Sequence, residues 1–423
     1  MNSNNKNIVF TAIMTCIMLF TVELIAYFSY AIQTGDFRFK QFNTRIESIL
    51  GTKAQEYANF EKSDVSIHPY IGYVNNPEVV SSKDHSGVSI SDYGFIDTQS
   101  PIHIKNPNEI IIGITGGSVA AWFFIQSRDD LEKALRQSPF FQSKKITFVN
   151  TALGGYKQPQ QLIALTYLLS LGAKFDIIIN LDGYNDLVLP IIENIPKSVN
   201  PYYPRNWYII SQNTPARNSN SIAKEAFSIE EKRIYLAKLM ESSLLHGNIL
   251  SRVVWFNYDR FLENSINRLQ QTYLNQTILK TSFATSGPQF LLPPNENDTY
   301  LLMAKVWAQA SNQMHLLSSG NGIKYFHFLQ PNQYVPNTKI LSKEEMKMAF
   351  DSSYPLGLIV KNGYKLMQSE GQLLRRNGVN YNDLTGIFKN TPESIYVDVC
   401  CHLNKHGNKI LANQIAKTII SSY

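Results

Sequence analysis

The chain has 423 residues, 44% hydrophobic and 17% charged, the balance of a folded globular protein and not of a disordered one. Its net charge of +6 comes from 39 basic and 33 acidic residues scattered without a basic run of the kind that tracks phosphates, which argues against nucleic acid as a partner. Three cysteines, Cys16 in an apolar run and the adjacent Cys400 and Cys401, supply neither a disulfide framework nor paired CxxC ligands, so no metal or cofactor is expected.

Residues 8–32 form an apolar stretch longer than the ~20 helical residues that cross a bilayer. It predicts that residues 1–34 are a single-pass membrane anchor, interrupted off centre by Glu23. Ser29-Tyr30-Ala31 offers the alternative of a signal-peptide cleavage site, although the run exceeds the roughly 7–15 apolar residues of such peptides. The short amino-terminal tail implies a body outside the cytoplasm, periplasmic or extracellular.

Residues 35–107 carry turn-forming clusters such as Asn75-Asn76-Pro77 and Ser81-Ser82-Lys83-Asp84 and read as an irregular lead-in packing on the core. From residue 108 to 423 the pattern changes. Five short segments rich in β-branched or aromatic residues, 109–114, 145–150, 176–181, 323–329 and 394–399, are each followed by a helical pattern. Such alternation predicts an α/β fold, a three-layer α/β/α sandwich around a five-stranded parallel sheet of flavodoxin-like form. In the last helix Leu403, Ile410, Leu411, Ile415 and Ile419 share a face, and Asn404 is placed to cap its start. Between the third and fourth segments, at about 195–300, lies a helical insertion whose apolar positions, among them Leu236, Leu239, Met240 and Leu244, must pack on something.

Ligands of open parallel sheets bind beyond the carboxyl ends of strands. After the first segment, Gly116-Gly117-Ser118 puts a hydroxyl where a helix begins. After the second, Gly154-Gly155 makes a turn whose backbone can approach a ligand closely. The third ends in Gly183-Tyr184-Asn185-Asp186, and the fifth in Asp398-Val399-Cys400-Cys401-His402. Serine, glycine, asparagine and histidine therefore fall on one edge of one sheet. Other candidates have plainer readings. His406 reads as a surface residue, His327 as a sheet residue and Asp186 as a brace for the Asn185 turn; Tyr202, Tyr203, Trp207 and Tyr208 read as packing, with a sugar-stacking platform as the alternative.

These blocks resemble the SGNH, or GDSL-type, hydrolases, in particular bacterial membrane-anchored envelope members. Ser118 looks like the nucleophile with Gly117 in place of the usual aspartate, Gly155 the second block, Gly183-Tyr184-Asn185-Asp186 the third and His402 the histidine. The aspartate that the family carries three residues before its histidine is Val399 here, and Asp398 lies four before. His68-Pro69-Tyr70-Ile71-Gly72-Tyr73 and Gln330-Pro331-Asn332-Gln333 also resemble envelope members.

The resemblance implies a catalytic triad of Ser118, His402 and Asp398 and an oxyanion hole of the Ser118 and Gly155 amides with the Asn185 side chain. It further implies an esterase or deacetylase acting on acyl esters, acetylated envelope carbohydrate above all, or an O-acyltransferase using the same triad. A reading from another class is a non-catalytic flavodoxin-like binding or scaffold protein in which the Ser118 turn cradles a phosphate.

Overall fold

The computed structural model describes residues 3–50, 65–77, 89–211, 221–242, 244–278, 283–351 and 355–423. In chain order its principal elements begin with helices α1 (Ser3–Thr34) and α2 (Lys40–Leu50) and strands β1 (Val65–His68) and β2 (Gly72–Asn75). Next come β3 (Glu109–Gly116), α3 (Ser118–Leu135), β4 (Lys145–Asn150), α4 (Gln160–Ser170), β5 (Ile177–Asp182) and α5 (Tyr184–Leu189). They are followed by α6 (Ser221–Ser242), α7 (Ile249–Ile278), α8 (Glu296–Gly320), β6 (Lys324–Leu329), α9 (Pro355–Arg376), β7 (Asn380–Asp383) and α10 (Lys405–Ile420). The chain divides into two compact units, Asp64–Thr214 with Ser282–Tyr423, and Met1–Ser63 with Pro215–Thr281.

The larger unit is built on a five-stranded sheet in the order β4-β3-β5-β6-β7, with every neighbouring pair parallel. Its central strands read as near-continuous apolar runs because helices cover both faces. β3 is buried at all its positions, with Ile110, Ile111, Ile112 and Ile114, and β5 likewise, with Ile177, Ile178 and Ile179. α3 packs on α10, and α8 packs on α9, α4 and α5. α10 buries Leu411, Ile415 and Ile419, and the Asn404 side chain caps it by accepting from the Gly407 N–H at 2.9 Å. β1 and β2 form an antiparallel hairpin ahead of the sheet. Tyr73 Oη donates to Gly154 O at 2.8 Å and Tyr156 Oη donates to Tyr73 O at 2.6 Å, which ties the hairpin to the loop after β4.

Four strands lie where the sequence pattern puts them; the fifth does not. The edge strand is β7, Asn-Tyr-Asn-Asp, while residues 394–399 form a loop with a single bridge, Tyr396 to Leu403. The alternation Ile395-Tyr396-Val397 imitates a strand, but a side chain satisfies its backbone: Glu345 Oε1 accepts the N–H of Ile395 at 2.8 Å and of Tyr396 at 3.1 Å. The lead-in is more regular than its turn residues suggest, since it contains α2, β1 and β2. Its Ser81-Ser82-Lys83-Asp84 cluster lies outside the described residues.

In the smaller unit, Tyr30, Phe39, Phe42, Ile46, Met240, Val253 and Phe256 are among the buried side chains of one core. Asp259 takes ion pairs from Arg45 and from Arg233, the latter at 2.7 Å. Leu239, which shares a helical period with Met240 and Leu236, is exposed; Ala237 turns inward instead. α1 contains one stretch long and apolar enough to cross a membrane, Phe10–Thr34, of 25 residues and mostly exposed within the protein.

Candidate active site

The sheet order makes β3 a branch point: β4 lies on one side of it and β5 on the other, so loops leaving their carboxyl ends diverge and open a crevice. Ser118 stands there as the first residue of α3. The first amides of α3 have no intrahelical partner, and Gly117 at the N-cap has no side chain to cap them. A Cβ on residue 117 would lie 2.2 Å from Asn185 Nδ2, so the asparagine amide occupies that space.

His402 Nε2 lies 2.8 Å from Ser118 Oγ, and His402 Nδ1 is bonded to Asp398 Oδ2. The four-residue spacing works because the intervening turn winds around the carboxylate: Asp398 Oδ1 accepts the N–H groups of Cys400 at 2.9 Å, Cys401 at 3.0 Å and His402 at 3.2 Å. Burial pushes Asp398 up, but the bond and charge of His402 and these amides outweigh it and hold the carboxyl below its usual range. An ionised Asp398 only accepts hydrogen bonds, so Nδ1 carries a proton, and in the neutral imidazole Nε2 faces Ser118 as an acceptor. The loop after β6 braces the turn, with Asn332 Nδ2 donating to Cys400 O at 2.9 Å and Gln333 Nε2 to Asp398 O at 2.8 Å. His402 and Asp398 keep 22% and 20% of their side-chain surface exposed, and Trp122, one helical turn beyond Ser118, has its ring 6.5 Å from that of His402.

Asn185, half-buried at the start of α5, donates one Nδ2 hydrogen to Tyr156 O at 2.9 Å, which aims its amide along the Ser118 turn. Gly155 has φ +78°, a conformation costly for other residues, and a Cβ there would lie 2.5 Å from the stem of Arg205. Arg205 in turn pairs with Glu193 at 2.8 Å. Asp186 accepts the Gln158 N–H at 2.6 Å and the Gly183 N–H at 3.1 Å, joining the loops after β4 and β5. Burial and the neighbouring Asp182 charge push the Asp186 carboxyl well above its ordinary value. Lys157 Nζ donates to Pro201 O at 2.6 Å and Tyr203 O at 2.5 Å; burial lowers its pKa from 10.5 to about 7, against the opposing pull of Asp186 and Glu193.

Ser118, His402 and Asp398 are thus joined in one chain of contacts, with Asn185 against Gly117, whereas Gly155 lies against Arg205 and Tyr73. Cys400, Cys401 and His402 place three ligand atoms within 4.8 Å of one another, but both imidazole nitrogens are engaged and burial pushes the Cys401 thiol well up, which disfavours the thiolate a metal needs. The aromatic run after β5 packs within the protein: Trp207 Nε1 donates to Ala284 O at 2.7 Å, and Tyr202 meets Phe290 edge to face.

Sequence reasoning did not find a second cluster. His327 Nδ1 lies 2.6 Å from Ser311 Oγ and its Nε2 lies 2.8 Å from Asp182 Oδ1, which also accepts from Trp307 Nε1 at 2.7 Å. His327 and Ser311 are 0% exposed and Asp182 1%, so no substrate reaches them. Burial pushes Asp182 up, but His327 and the bonds from Trp307 and Asn180 outweigh it and hold its carboxyl low.

No family model matches the sequence, and no curated protein matches it. Among solved structures the chain is similar to a GDSL-like lipase from Bacteroides thetaiotaomicron, with a TM-score of 0.33 and 9% identity over 75% of this chain and 89% of that one.

Proposed function

We propose that the chain is a serine esterase of the SGNH type, with Ser118 as nucleophile, His402 as general base and Asp398 as the carboxylate that orients the imidazole. One observation carries this reading: the hydroxyl of the partly buried Ser118 lies 2.8 Å from an imidazole whose other nitrogen is bonded to a carboxylate held low. As Ser118 Oγ bonds to the ester carbonyl carbon, His402 Nε2 takes the hydroxyl proton; it returns that proton to the leaving alcohol as the C–O bond breaks. Asp398 stabilises the imidazolium without taking its proton. The amides of Ser118 and Gly155 and the second Nδ2 hydrogen of Asn185 hold the oxyanion.

The acyl-enzyme then passes its acyl group to water or to a second alcohol. Acetyl esters of envelope carbohydrate are the substrate class that the family resemblance favours, and α1 anchors a body that works outside the cytoplasm. The test is acetate release by the full-length chain from aryl acetates and acetylated sugars, with and without an added alcohol. We expect turnover that Ser118→Ala abolishes; an acetylated alcohol as the main product would assign the chain to the transferases, and no turnover of any ester would count against an enzyme.

A further inference from the structure

We propose that the tip of the α6–α7 hairpin enters the hydrocarbon of the bilayer beside α1, in the leaflet on the side of the protein's body. The inference rests on the reading of α1 as an uncleaved span. Large apolar side chains of α1 are exposed from Phe10 to Ile32, while from Glu23 onward one side of the helix, with Ala26 and Tyr30, packs in a core that includes α7. Glu23 bonds to Asn248 Nδ2 and accepts the Leu250 N–H at 3.1 Å, and Tyr30 meets Phe256 edge to face at 5.2 Å, so the two helices run side by side.

Length then decides the depth. The apolar run that begins at Ile8 is about 22 Å long where Glu23 interrupts it, at 1.5 Å per residue, against a hydrocarbon core of about 30 Å. The missing ~8 Å reaches roughly Phe28, beside the stretch of α1 on which α7 packs.

The tip suits that medium. Leu239, Leu245, Leu250 and Val254 are exposed to solvent in the protein, and Tyr258 and Phe261 continue the stripe along α7 at three- and four-residue steps, aromatic where the headgroups would lie. Polar groups where α7 begins bond to one another, as a lipid medium favours, while Lys238 and Glu241 at the end of α6 stay exposed. Asn248 Oδ1 accepts both the N–H and the hydroxyl of Ser251 at 2.8 Å, and Arg252 Nε donates to His246 O. Glu23, the acidic residue of the span, sits at the start of α7, where the helix dipole favours negative charge.

The test is photolabelling of the full-length chain in phosphatidylethanolamine–phosphatidylglycerol liposomes that contain a phospholipid with a diazirine in its acyl chain, with adducts mapped by mass spectrometry. Adducts are expected on α1 and on residues 239–254, and Leu250→Asp with Val254→Asp should lower the latter by about tenfold while leaving the α1 adducts in place. Adducts on α1 alone would overturn the proposal and leave the span standing. An unlabelled α1 would remove the span, and the proposal with it.

Discussion

Serine, histidine and aspartate meet twice in this protein. At the rim, Ser118, His402 and Asp398 are joined through contacts that keep about a fifth of the imidazole and carboxylate surface in solvent. In the interior, Ser311, His327 and Asp182 are joined at 2.6 and 2.8 Å and sealed from solvent. Bond length does not tell the two apart; the backbone around each serine does. Ser118 opens α3, where amides lack helical partners and can receive an oxyanion, whereas Ser311 lies mid-way through α8, where every amide nearby is spent on the helix. Ser311 Oγ also contacts Tyr325 Oη at 3.0 Å, a hydroxyl committed to a network. A reactive serine needs access and free amides as well as a base.

The largest effect expected is that of Ser118→Ala, which should lower kcat on an aryl ester by on the order of 10⁴-fold or more. Asp398→Asn should follow, at roughly 10³–10⁴-fold, because the imidazole loses its carboxylate and its correct tautomer. Asn185→Ala should cost about 10²–10³-fold in kcat with little change in melting temperature, since it removes one oxyanion donor. Ser311→Ala sharpens the contrast from the other side: kcat should stay at the wild-type value while calorimetry shows a loss of ~1–3 kcal/mol from an unsatisfied buried partner.

A last effect concerns pH. An unfolded lysine keeps its proton up to its ordinary value of 10.5, while folded Lys157, lowered to about 7, has released it. The unfolded state thus binds more protons between those values, and stability should rise with pH across that window. Lys157→Met should flatten the rise in denaturant titrations run from pH 7 upward.

Four strands were legible because buried parallel strands must be apolar on both faces, and the residues at their ends followed from the strand positions. β7 was not, since an edge strand paired only to β6 tolerates Asn380, Asn382 and Asp383. The loop at 394–399 deceived for the converse reason, its apolar alternation being satisfied by Glu345, some fifty residues earlier. The one-residue shift of Asp398 became intelligible only through the three amides that wind around its carboxylate. The buried cluster left no trace in the pattern, because Asp182, Ser311 and His327 come from separate elements and a lone histidine in an apolar strand looks like core. Nor did periodicity reveal that residues 215–281 group with 1–63, while 195–214 and 282–300 belong with the sheet.

Treating the full-length chain with a fluorophosphonate and mapping the adduct by mass spectrometry bears most directly on the claim that access and free amides select one serine of the two. The expected result is a single covalent adduct on Ser118 that disappears in Ser118→Ala and persists in Ser311→Ala. An adduct on Ser311, or labelling that survives the loss of Ser118, would contradict it.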